Sequence, residues 1–205
     1  MSINPKLLVF IFLLLVVVGF NAVIEHKVEI TNAIPSGESI VCFGDSLTFG
    51  TGASKGMDYP EQLSQMIGEP VINLGKPGDT TANALNRIDE VLKHDPRIVL
   101  ITLGGNDLKN GVDKTQAFVN LQEIILQIQA QRSLVVIGGV DIPLFGRGFA
   151  DEYEILAHKT GAVLVPNVFE NIMGKAGLMS DRIHPNNAGY RIMAMHFYDA
   201  VKPYL

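Results

Sequence analysis

The chain opens on an apolar run: from Leu7 to Phe20 no side chain is polar, and Ala22 to Ile24 extend the run past Asn21. About 18 residues at a rise of ~1.5 Å each come close to spanning the ~30 Å hydrocarbon core of a bilayer. The run is apolar all round, which does not suit the one-sided helix of a globular surface. Lys6 and the terminal amine precede it, so positive charge would hold its start on the cytoplasmic side. A cleaved signal peptide is the rival reading, but it wants a small-x-small site, and Gly19-Phe20-Asn21-Ala22-Val23 offers a poor one. The expectation is a hydrophobic helix within residues 1–24 that anchors the chain, with the remainder of the protein on the periplasmic or extracytoplasmic side. Cleavage would instead release a secreted or periplasmic protein. Residues 25–37 read as a polar linker with a turn at Pro35-Ser36-Gly37.

From Glu38 the pattern changes. Short β-branched runs alternate with longer stretches of helical period, the signature of a parallel sheet covered by helices on both faces. Strands are expected at Ser39–Phe43, Val71–Asn73, Arg97–Leu103, Leu134–Gly138 and Ala162–Val165. Helices are expected from near Pro60, Thr81, Asp113 and Ala150, and a last one from about Pro185 to Val201. Asp113 with Gln116 three residues on reads as a capping box, and Pro185 suits a first helical position. A chain of 205 residues, 47% of them hydrophobic, fits one folded domain over residues 38–205 plus the apolar appendage.

A net charge of −5 without a Lys/Arg cluster leaves no electrostatic footprint for nucleic acid. Cys42 is the only cysteine, so an internal disulfide and a cysteine metal cluster are both excluded. Its apolar neighbours Ile40, Val41 and Phe43 predict a buried thiol. No feature of the sequence calls for an obligate protein partner.

In open α/β sheets the functional site gathers in loops after the carboxyl ends of strands, and the candidate chemistry falls there. After the first strand comes Gly44-Asp45-Ser46-Leu47, where a serine on a tight turn can present its hydroxyl and aim its own N–H at an oxyanion. An Asx turn capping the next helix is the plain alternative. Thr48 stands where the Gly-x-Ser-x-Gly elbow requires glycine. The second strand leads into Asn73-Leu74-Gly75-Lys76-Pro77-Gly78-Asp79-Thr80-Thr81, a glycine-rich loop whose N–H groups, Gly78 first among them, can face an anion. A simple turn is equally open, and neither phosphate-loop spacing is present. After the third strand, Gly104-Gly105-Asn106-Asp107 offers the Asn106 amide, a donor that stabilises charge without titrating, or else a helix cap. Near the end, Asp181-Arg182-Ile183-His184 lets Asp181 orient His184 as a general base. No second histidine follows at metal-ligand spacing, so no metal is expected. His26, His94, His158 and His196 read as ordinary surface or packing residues.

Gly44-Asp45-Ser46-Leu47, Gly78, Gly104-Gly105-Asn106-Asp107 and Asp181-x-x-His184 follow the order of the four blocks of the SGNH/GDSL hydrolases, and from about Ile40 to its end the chain resembles that family. Tyr59-Pro60 and Asn73-x-Gly75-x-x-Gly78-Asp79-Thr80 are similar to its bacterial arylesterases, lysophospholipases and acyl thioesterases. The resemblance implies a three-layer α/β/α flavodoxin-like fold with a five-stranded parallel sheet in the order 2-1-3-4-5. It further implies a serine esterase without cofactor, with Ser46 as nucleophile, His184 as base, Asp181 as its partner, and an oxyanion hole of Ser46 N–H, Gly78 N–H and the Asn106 amide. Small-molecule or lipid esters are the substrates so implied. Removal of acetyl groups from cell-envelope glycans is the enzymatic alternative, and a non-catalytic binding module on the same fold is the other.

Overall fold

The computed structural model describes residues 29–142 and 148–205; the expected anchor and the first part of the linker lie outside the described residues. No helix among the described residues is long and apolar enough to cross a membrane. Five strands, β1 (Ser39–Gly44), β2 (Val71–Gly75), β3 (Pro96–Thr102), β4 (Leu134–Gly138) and β5 (Val163–Val165), form one parallel sheet in the order β2-β1-β3-β4-β5. This is the order that the resemblance implied. β4 is buried at every position, and β1 at all but its first, because helices cover both faces and leave no side for polar residues.

Eight α-helices are described: α1 (Ser46–Phe49), α2 (Tyr59–Ile67), α3 (Thr81–Leu85), α4 (Asp89–Leu92), α5 (Gly105–Asn110), α6 (Lys114–Ala130), α7 (Phe149–Thr160) and α8 (Asn187–Val201). Asp58, Thr80 and Asp113 cap α2, α3 and α6 with side-chain oxygens, satisfying N–H groups that a helix start leaves unpaired. α2 packs on α8, with Tyr59 stacked on Phe197 at 5.0 Å. α6 packs against α3 and α7, where the Phe118 ring meets Phe149 and Tyr153 edge-on. The Cys42 thiol is wholly buried in the core between these layers.

Three local expectations are corrected. The last helix begins at Asn187, not Pro185, because Asn186 is the better cap: its side chain accepts from the N–H groups of Ala188 and Gly189. Pro185 instead forms an antiparallel bridge with Met179. The capping box at Asp113 is only half made, since Gln116 turns its amide to Asn120. α1, α4 and α5 were not foreseen, being too short to show a helical period.

The register levels the carboxyl ends of the first three strands, with Gly44 beside both Gly75 and Thr102. At the opposite end of the sheet, residues 29–38 run under the domain. Thr31 N–H donates to Gly161 O (2.9 Å), Asn32 Nδ2 to Gln129 O and Ser133 O, Ser36 N–H to Arg132 O (3.2 Å), and Glu38 N–H to Asp95 O (2.8 Å). Gly161, Ser133 and Asp95 lie just before β5, β4 and β3, so the chain enters from the side away from the loops at the strands' carboxyl ends.

Candidate active site

A single residue, Asp45, separates the end of β1 from the start of α1, and it makes that turn possible. Its Oδ1 accepts from Leu47 N–H at 2.9 Å, so Asp45 caps the helix on which Ser46 is the first residue. The capping turn and the presented serine are thus one structure. A Cβ at Gly44 would run into the Thr48 side chain and the Thr102 carbonyl, so glycine allows this close approach.

Ser46 Oγ stands 3.0 Å from His184 Nε2, and His184 Nδ1 stands 2.7 Å from Asp181 Oδ2. Residues 138 apart in sequence are joined by a loop that holds itself in shape. Asp181 Oδ1 accepts from both Ile183 N–H and His184 N–H at 2.8 Å, while Ser180 N–H donates to His184 O. The His184 hydrogen bond, followed by the backbone N–H of Ile183, lowers the Asp181 carboxyl to about 2. An ionised Asp181 only accepts, so the proton of a neutral His184 ring belongs on Nδ1 and the bare Nε2 faces the Ser46 hydroxyl.

Asn106 lies in the first turn of α5, which is capped by Gly104 at φ +113 and not by an Asn-Asp turn. There a Cβ would strike the Tyr153 hydroxyl, which donates to Leu103 O at 2.6 Å. Asn106 Nδ2 donates to Asp79 O (2.9 Å) and, more weakly, to Asp45 Oδ2 (3.2 Å), so both amide hydrogens are engaged and the longer bond is the one a ligand in the pocket would replace. Next to it, buried Asp107 accepts from Thr81 N–H and Oγ1, fastening α5 to the start of α3.

Lys76, Pro77, Gly78 and Asp79 form a turn closed by Asp79 N–H to Lys76 O at 3.1 Å. Gly78 has φ +89 at its third position, where a type II turn needs glycine. Gly78 is exposed and does not line the pocket beside Ser46; Asp79 O joins its turn to Asn106.

That pocket holds about 120 Å³, with Ser46, Asn106 and His184 on its wall. Leu47, Val140, Ile142, Phe169 and Ile183 give it an apolar lining, and Lys109 adds a cation. A larger open depression of about 650 Å³ lies along α7, by Ile155 and His158, and contains none of these groups. Burial, reinforced by the Asp79 and Asp107 carboxylates and opposed by the Leu47 N–H, raises the Asp45 carboxyl to about 7. Among the described residues no cluster of three or more His, Cys, Asp or Glu gathers to hold a metal ion.

The residues that support these groups were not foreseen. Arg87 is buried to 9% side-chain exposure and paired with Asp79 at 2.6 Å, and nothing in a run such as Ala84-Leu85-Asn86-Arg87 marks a buried cation. The apolar wall was also missed, because Val140 and Phe169 come from loops whose course the sequence does not give.

Residues 42–192 match the model of the GDSL-like lipase/acylhydrolase family. The thioesterase 1/protease 1/lysophospholipase L1 of Escherichia coli (strain K12) is 30% identical over 168 residues, 78% of this chain and 81% of that protein. An arylesterase of Vibrio mimicus is 31% identical over 165 residues, 75% and 82% of the two chains. The crystal structure of TesA is similar at a TM-score of 0.77 and 27% identity, covering 82% of this chain and 100% of that one.

Proposed function

Because the chain belongs to the GDSL-like lipase/acylhydrolase family, we propose that it is a serine esterase whose acyl transfer runs through Ser46, His184 and Asp181. The observation that carries this reading is the unbroken line from Ser46 Oγ through both ring nitrogens of His184 to Asp181. His184 Nε2 takes the Ser46 proton as Oγ attacks the ester carbonyl, and Asp181 stabilises the imidazolium that forms. The tetrahedral oxyanion lies against the Ser46 N–H and the Asn106 Nδ2 hydrogen that leaves Asp45 Oδ2 for it, while Asp79 O keeps the other; Gly78, outside the pocket in this structure, is the third donor as the family resemblance implies. Each such donor is worth about 2.7–4 kcal/mol in the transition state. His184 then returns the proton to the leaving group, and water repeats the attack on the acyl-serine. These steps need no cofactor.

The small, mostly apolar pocket suits a short acyl group beside an apolar leaving group, as in an aryl ester or a short acyl thioester, and offers few partners to the hydroxyl-rich leaving group of an acetylated glycan. A panel of short and long p-nitrophenyl esters, an acyl thioester and an acetylated glycan tests this. The expected result is a kcat/KM for short aryl esters at least tenfold above that for the glycan, since one mismatched polar group in an apolar site costs about 1–3 kcal/mol. A preference for the glycan would make the chain a carbohydrate esterase, and no turnover on any substrate would make it a binding module.

In the same reading residues 1–24 anchor the chain and the catalytic domain stands on the extracytoplasmic side. The support is the apolar run and its poor cleavage site. Fractionation with amino-terminal sequencing is expected to find the full-length chain in the membrane pellet. A soluble product beginning between about Asn21 and Lys27 would make the segment a cleaved signal instead.

A further inference from the structure

We infer that Arg87 is a positioning residue for the oxyanion hole, a role that rests on the acyl-transfer reading above. Arg87 does not line the pocket beside Ser46 and cannot touch a substrate held there. Its guanidinium reaches three structures on which the proposed donors are built. Nη2 donates to Gly44 O (3.1 Å) and Leu74 O (3.0 Å), tying together the carboxyl ends of β1 and β2 two residues before Ser46. Nε donates to Asp79 Oδ2 at 2.6 Å, holding the residue next to Gly78. The carbonyl of that same Asp79 aims the Asn106 amide. Gly44 O also accepts from Lys76 N–H at 2.9 Å, so the turn bearing Gly78 is sewn to the strand that presents Ser46. The guanidinium carbon lies 4.5 Å over the Phe43 ring, a contact that fixes its orientation.

The fork geometry is what this positioning requires. A planar guanidinium donates in several fixed directions at once, whereas a lysine ammonium is a point charge on a flexible stem. Donors that must meet one oxygen tolerate little misplacement; an error near 1 Å can cost about 10²-fold in rate. Because the oxyanion exists only in the tetrahedral state, loosening this frame lowers kcat and leaves ground-state binding almost untouched.

The test uses Arg87→Lys and Arg87→Met in the full-length chain, each alone and combined with Asn106→Ala, assayed on a short p-nitrophenyl ester beside a thermal melt. Arg87→Met strands the Asp79 carboxylate and is the variant at risk of unfolding; Arg87→Lys keeps a cation against it and remains the working variant if Arg87→Met is lost. The expected result for either folded variant is a kcat lower by about 10- to 100-fold, with KM changed by less than about threefold. In the Asn106→Ala background the same change should cost several-fold less, because part of what Arg87 positions is already gone. Wild-type kcat in Arg87→Lys, a loss seen in KM alone, or full additivity with Asn106→Ala would each overturn the inference. A wild-type kcat in Asn106→Ala alone would strike instead at the oxyanion assignment.

Discussion

Ser46→Ala is expected to lower kcat by roughly 10⁶-fold while leaving the fold unchanged. Removing the oxygen removes the covalent route; what survives is the roughly 10³- to 10⁴-fold acceleration over water that binding and an oxyanion hole supply by themselves. The fold should tolerate the change because Ser46 Oγ has His184 as its side-chain partner, and the cap of α1 is made by Asp45. A thermal melt should therefore move little, within the roughly ±0.5 kcal/mol of a neutral substitution. An organophosphonate should attach to the wild-type chain and the adduct should map to the peptide carrying Ser46. Full turnover by Ser46→Ala, or labelling elsewhere with Ser46 unmodified, would remove the nucleophile from the mechanism.

His184→Ala is expected to be as damaging as loss of the serine, and Asp181→Asn to cost about 10⁴-fold. Asparagine at 181 would offer the ring an amide and favour the tautomer with Nδ1 bare, leaving Nε2 protonated toward Ser46. A base must be neutral to accept a proton, so wild-type activity should fall on acidification once the imidazole is charged. Asp181 cannot be the source of that limb, since its carboxyl stays ionised down to about 2. Asp45 could be, because its carboxyl takes up a proton as pH falls through about 7. Asp45→Asn separates the two: an acidic limb that persists in this variant belongs to His184. A pH-rate profile of wild type beside these variants is the measurement. Wild-type kcat/KM in His184→Ala or Asp181→Asn with an unchanged limb would show that another group activates Ser46.

Strand positions were legible because a sheet covered on both faces writes itself as continuous apolar runs, Leu134–Gly138 being the plainest. Errors fell at ends, where cap chemistry decides and where Asn186 outcompeted Pro185. Ser46, Asp181, His184 and Asn106 were legible because each sits in a short polar cluster at the exit of a strand or the entrance of a helix. Periodicity could not show that they meet, since Ser46 and His184 are brought together by tertiary packing; only the order of the motifs hinted at it. Arg87 and Asp79 were illegible for a different reason. Each looks like a surface charge until folding buries it, and their pairing depends on how β1 and β2 end side by side.

The run of residues 29–38 meets the domain at the end of the sheet opposite Ser46, which matters if the proposed anchor holds. Four residues, 25–28, separate the proposed anchor from this run and can reach at most ~14 Å. The five- to seven-residue strands β1 to β4 add about 20 Å between the two ends of the sheet. With the leading segment held in a bilayer, the mouth beside Ser46 opens away from that bilayer, toward the aqueous space beyond. Such an enzyme would meet esters that arrive dissolved or carried by another surface, while lipids packed in its own leaflet would stay behind its back.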